Sequence, residues 1–116
     1  MLVKVDGASP VPLSEQIAAQ IRAAIARAEV RAGERLPPAR ELGQALGVNM
    51  HTVLRAYSAL RDEGVIDLRR GRGAVVRDGV DGARLRLHDL ARRFTLEATR
   101  QGLTDDDIVD LLRRTR

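Results

Sequence analysis

The residues with the most evident chemistry are arginines in a tight turn, Arg69-Arg70-Gly71-Arg72-Gly73. Three guanidinium groups on so short a tip repel one another and gain nothing from folding, so an anion is expected opposite them. Guanidinium forks grip phosphate oxygens in two-pronged fashion, which makes phosphate the first candidate. A second polar group, Asn49-Met50-His51-Thr52, follows Gly47-Val48 upstream. At the start of the second helix of a helix-turn-helix, such side chains are placed to meet base edges in the major groove. No catalytic set accompanies them. Ser14 and Ser58 have no adjacent His, His51 has no second His or Cys nearby to share a metal, and His88 has no visible partner. The run Asp105-Asp106-Asp107 lacks the spacing of a calcium loop and fits the first turn of a helix. Neither an enzyme nor a bound metal or cofactor is expected.

Composition narrows the partner. A chain of 116 residues suits one compact domain with a small appendage. It has no Cys, which excludes disulfides and thiolate metal sites and fits a reducing, cytoplasmic setting. No apolar run approaches a membrane span, and Met1 to Asp6 lacks the apolar core of a signal peptide, so no membrane partner is expected. The net charge is +4, and Lys4 is the single lysine among 20 basic residues. A GC-rich genome also favours arginine codons, so placement rather than number carries the argument. Tyr57 and Phe94 are the only aromatic residues. Stacking platforms for single strands or RNA need several, which leaves duplex DNA as the nucleic-acid partner.

The elements that must position these groups are legible in order. Met1 to Ala8 forms a short strand or a loosely ordered arm. Leu13, Ile17, Ile21 and Ile25 recur every four residues and predict a supporting helix over about Leu13 to Ala28, with Gln16, Gln20, Arg22 and Arg27 mostly outside its apolar stripe. Val30 to Leu36 is expected to be a loop. A second helix starts at the Pro37-Pro38 pair, buries Leu42, Ala45 and Leu46, and ends at Gly47, where glycine supplies left-handed geometry. Asn49 stands at the N-cap of a third helix that turns Val53, Ala56, Tyr57 and Leu60 inward and closes at Gly64. Val65 to Leu68 and Ala74 to Arg77 form a hairpin around the arginine tip. Two helices, a turn and a hairpin make the plan of a winged helix-turn-helix. Residues 1–77 are expected to form this unit, 78–83 a linker, and 84–116 a pair of helices, the second capped by Thr104.

The run from Pro12 to Val76 resembles the winged helix-turn-helix of the GntR family. The likeness rests on PL-x-EQI, on GERLPPARELGQALGV, on TV-x-RAY and on the RRGRG tip. The form VNMHTVLRAY, with a short C-terminal part of two helices, is similar to the YtrA branch. The resemblance implies a homodimeric bacterial transcription regulator, of a branch that often represses transport operons and its own gene. It implies DNA contacts at Arg40, at Asn49, Met50, His51 and Thr52, and at the tip residues Arg70 and Gly71. Leu54 departs from the pattern, standing where other branches place a basic DNA contact, and Arg55 is the candidate to take over that load. Met50 departs as well, so a base preference does not transfer. With Arg69 and Arg72 these residues make up the expected DNA surface.

The fold class expected is therefore mostly α with a small β-hairpin: an N-terminal winged helix-turn-helix and a C-terminal two-helix dimerisation region. Leu87, Leu90, Phe94 and Ala98 on one helix and Ile108, Leu111 and Leu112 on the next show more apolar surface than two helices bury against each other, so a homodimer is expected. A dimer implies an operator that is an inverted repeat. The rival reading is a winged-helix module that binds protein, since fold alone does not set function. A small-molecule effector is left open. The residues after the wing are too few to enclose an ordinary ligand pocket of ~300 Å³ within one subunit.

Overall fold

The structure, a computed structural model, describes residues 1–116. Its elements run α1 (Leu13–Ala26), α2 (Ala39–Leu46), α3 (Met50–Asp62), β1 (Ile66–Arg69), β2 (Gly73–Val76), α4 (Gly82–Arg100) and α5 (Asp105–Arg114). They divide into two compact units, Met1–Arg86 and Leu87–Arg116. The expected class holds: N-terminal helices with a β-hairpin wing, then a C-terminal helix pair.

In the first unit, the isoleucines of α1 meet the inward stripe of α3, and α3 packs in turn on α2 and the first strand. Ile17, Ile21, Val53, Leu60, Ile66 and Val76 are fully buried. Each such side chain contributes about 1.5–3 kcal/mol on leaving water. Pro12 stands at the N-cap of α1, where its missing N–H costs nothing. The helix ends two residues earlier than expected, at Ala26, because Ala28 adopts a left-handed φ of 59°. The amides of Ala28 and Glu29 then donate to the carbonyls of Ile25 and Ala24 and close the helix.

Arg22 corrects the sequence reading. It lies on the buried side of α1, where its guanidinium grips Glu63 with two hydrogen bonds of 2.7 and 2.6 Å. Glu63 is the C-cap of α3. A carboxylate there opposes the helix dipole, and the arginine offsets it. The N-terminal arm forms no strand. Two glutamine side chains of α1 replace a β-partner: Gln20 bonds both backbone groups of Lys4, and Gln16 accepts from the Asp6 amide and donates to the carbonyls of Asp6 and Val11.

The turn between α2 and α3 is set by two glycines. Gly47 takes a φ of 70° and caps α2. Gly43 is buried against the turn, and a Cβ there would stand 2.9 Å from the Val48 carbonyl oxygen. Gly43, not Ala45, therefore joins Leu42 on the buried face, and Ala45 is exposed.

The strands pair antiparallel from Ile66 opposite Val76 to Arg69 opposite Gly73. The expected loop before α2 also joins this sheet. The amides of Gly33 and Leu36 donate to Val76 and Ala74, the Val76 amide donates to Glu34, and Arg35 bridges Val75. This pairing uses backbone groups only, so side-chain patterning gives no warning of it.

Helix α4 begins at Gly82, inside the expected linker, because Asp81 caps it by accepting from the amides of Ala83 and Arg84. Its first turn belongs to the first unit. Leu85 is buried in the core, and Arg86 donates to the Ala26 carbonyl at the end of α1, a cation placed at a helix C-terminus. In the second unit, Thr104 and Asp107 exchange hydrogen bonds in a capping box at the start of α5. The Thr104 backbone N–H and then its hydroxyl hold the Asp107 carboxyl below the usual carboxylate range. The aspartate run is accounted for by this helix start. No helix of the chain is long and apolar enough to cross a membrane.

Candidate nucleic-acid interface

Asn49 caps α3 as its residue type demands, its side-chain oxygen accepting from the His51 amide at 2.8 Å. The cap uses that oxygen and leaves the amide NH₂ free. Asn49 and His51 are exposed and Met50 is half-buried. Thr52 is a correction to the expected outward set. It is 8 % exposed, and its hydroxyl accepts from Arg55 at 3.4 Å. The helical period explains this, because Thr52 lies four residues before the buried Ala56. Arg55 and Leu54 follow His51 by four and three residues and share its open face, and both are exposed.

The wing tip is sharper than a five-residue turn. Arg69 is the last residue of β1, and the Arg72 amide donates back to its carbonyl at 3.0 Å. That closes a four-residue turn with Gly71 at the third position, where φ is 81°. Arg70, Gly71 and Arg72 form the exposed tip. Arg69 differs from its neighbours in charge balance, because Asp67 pairs with it at 3.2 Å and with Arg77 at 3.5 Å.

One residue was missing from the expected surface. Arg35, on the segment that joins the sheet, donates from Nε to the Arg72 carbonyl at 2.9 Å and ties the tip down. The ion pairs of this unit leave Arg35, Arg40, Arg55, Arg70 and Arg72 with no acidic partner. Glu41, the next residue in the chain, forms no ion pair with Arg40. The start of α2, the Leu54 face of α3 and the wing line one open groove, whose residues include Pro38, Leu54, Arg70 and Arg72. Arg35, Arg70 and Arg72 line this groove without an acidic partner, while Asn49, His51, Arg40 and Arg55 are exposed on α2 and α3 outside its lining.

Tyr57 is core, as its stripe position predicts. Its hydroxyl donates to the Pro37 carbonyl at 2.5 Å, and burial pushes its phenol well above the ordinary tyrosine range. The bond anchors α3 to the proline pair that opens α2. In the second unit, Leu87, Leu90 and Leu112 are exposed, and Phe94 and Leu111 are half-buried. Ala98 and Ile108 are already covered by the chain itself.

Comparison with known proteins agrees with this arrangement. The model of the gntR family of bacterial regulatory proteins matches residues 13–76. A solved structure of YtrA from Sulfolobus acidocaldarius, a GntR-family transcription factor, is 38% identical, with a TM-score of 0.63 over 97% of this chain and 95% of that one. The HTH-type transcriptional repressor YtrA of Bacillus subtilis is 28% identical over 107 residues, 88% of this chain and 82% of the relative. The DNA-binding domain of AraR, solved in complex with operator ORX1, is 25% identical, with a TM-score of 0.58 over 66% of this chain and 95% of that one. The matched region is the regulatory one. The chain belongs to the GntR family of bacterial regulatory proteins, close to its YtrA branch, and is a winged helix-turn-helix DNA-binding transcription factor.

Proposed function

We infer that the chain acts as a homodimeric repressor on an inverted-repeat operator in duplex DNA, at its own operon or at a transporter operon. The observation that carries this reading is the set of exposed arginines on α2, α3 and the wing, Arg40, Arg55, Arg70 and Arg72, all free of acidic partners. Asn49, Met50 and His51 enter the major groove and read bases, and Arg40 and Arg55 anchor them to phosphates. The tip Arg70-Gly71-Arg72 lies in the minor groove or along the backbone, with Arg69 as a partly neutralised neighbour. Thr52 sets the pose of Arg55 rather than touching a base.

Exposed Leu87, Leu90 and Leu112 call for a second copy of the chain, and the half-buried Phe94 and Leu111 flank them. Ala98 and Ile108, both buried, support the helices of the second unit from within. Repression is favoured by the Bacillus relative, described as a repressor, and DNA reading by the AraR relative bound to its operator. Selection of bound fragments from genomic DNA, followed by footprinting, tests the whole reading. It predicts a two-fold footprint near the gene itself or a transporter operon. Sedimentation of a chain with Leu87→Glu and Leu90→Glu should show monomer. A single asymmetric footprint, or an undiminished dimer, contradicts it.

A further inference from the structure

The groove between α3 and the wing has a feature that DNA does not explain. Its walls are two leucines, Leu54 on α3 and Leu68 on β1, 38 % and 37 % exposed. Pro37 and the edges of the buried Leu36 and Tyr57 complete the lining. The Tyr57 hydroxyl donates to the Pro37 carbonyl, so this buried residue presents no free polar group to the groove. The rim is cationic. Arg35, Arg70 and Arg72 line it without an acidic partner, while Asp67 pairs with Arg69. The groove holds about 590 Å³, within the range of small-molecule sites.

A sugar-phosphate backbone satisfies the rim but gains little from the leucines, since it brings few apolar atoms. An apolar guest satisfies the leucines but leaves the arginines unmatched. A molecule with an apolar body and an anionic head satisfies both. We propose that this groove binds a small amphiphilic organic anion, a carboxylate or phosphate ester on an apolar chain or ring, and that the bound anion competes with duplex DNA. Competition follows from position. Leu54 shares the open face of α3 with His51 and Arg55, and of the arginines that hold the head group Arg70 and Arg72 belong to the wing and Arg35 is bonded to it. This half of the proposal rests on the DNA-reading surface described above; the binding half does not. The site lies wholly within the first unit, so it needs no ligand pocket in the C-terminal helices.

The test uses the full chain, labelled with ¹⁵N, titrated with decanoate in the absence of DNA and followed by amide shifts. Saturable shifts are expected at Leu36, Leu54, Leu68 and Arg72. Inorganic phosphate at the same concentration should move the tip arginines alone. Leu54→Glu, on an exposed position, should weaken decanoate at least about tenfold by placing an anion on the apolar wall. Leu68→Gln gives a second reading should that variant fold poorly. Leu2→Glu, which removes a still more exposed leucine elsewhere, should change nothing. Shifts that fail to saturate, that centre on residues 87–116, or that survive both groove substitutions overturn the site. A short duplex should then displace decanoate. Simultaneous binding without mutual weakening overturns the competition. A chain that binds decanoate but no duplex sinks the DNA reading and leaves the site standing.

Discussion

The ion pair between Arg22 and Glu63 predicts an asymmetry that can be worked from exposure alone. The Arg22 side chain is 6 % exposed and the Glu63 side chain 32 %. Glu63→Ala strands a guanidinium where water scarcely reaches it, and breaking a buried pair in this way costs about 3 kcal/mol. Arg22→Met keeps the packing of the arginine stem and leaves a carboxylate that is a third exposed and can rehydrate, so the cost falls to about 1 kcal/mol. The double variant has no stranded charge, and it also loses a carboxylate that opposes the α3 dipole. Glu63→Ala is therefore damaging in the native background and close to neutral once Arg22→Met is in place, a coupling of about 3 kcal/mol. Urea unfolding by circular dichroism at one fixed protein concentration measures all four species, and equal slopes make the midpoints comparable. If Arg22→Met proves worse than Glu63→Ala, or if the two costs add, the pair is not the buried clamp between α1 and the end of α3 that the geometry describes.

Three further perturbations follow from single positions. Gly43→Ala should cost about 2 kcal/mol in urea unfolding and weaken duplex binding together, because its Cβ meets the Val48 carbonyl oxygen at 2.9 Å and pushes on the start of α3; an unchanged midpoint contradicts it. Ala28→Gly should stabilise by about 1 kcal/mol in the same assay, by relieving a left-handed alanine at φ 59°. Burial raises the Tyr57 pKa, so the folded state holds the proton more tightly than the unfolded one; stability is full below about pH 10 and falls above it by about 1.4 kcal/mol per pH unit. Tyr57→Phe should remove that alkaline slope, and a slope that persists would place its origin elsewhere.

The helix-turn-helix and wing were legible because their boundaries are written in residues with few conformational choices. Gly47 and Gly71 take positive φ, Pro38 precedes α2, and Asn49 caps α3. What stayed hidden depended on partners distant in sequence. Arg22 sits on the buried side of α1 by period, but a charged residue there looks misplaced until Glu63 appears 41 residues later. Arg35 looks like a loop arginine because its segment joins β2 through backbone groups, and its link to the tip spans 37 residues. The glutamines that hold the N-terminal arm resemble surface residues for the same reason. Asp81 is a different case: a local cap is written in the sequence, but the glycines on either side mask it as linker. At the site, helical period alone would have turned Thr52 inward, since Val53, Ala56 and Leu60 already mark the buried face.

The most direct test of the account is a matched titration of native chain, His51→Ala, Arg70→Ala and Arg72→Ala on the selected operator and on random duplex at several salt concentrations. The native chain should lose ~10³-fold or more in affinity between about 50 and about 200 mM salt. His51→Ala should cost about 1–3 kcal/mol on the operator and much less on random duplex, because base edges carry the sequence information. Each wing variant should weaken both DNAs and lower the salt slope by about one. If His51→Ala weakens the two DNAs equally, α3 does not read bases at that position; if both wing variants leave affinity and slope unchanged, the tip arginines face solvent and the central claim fails.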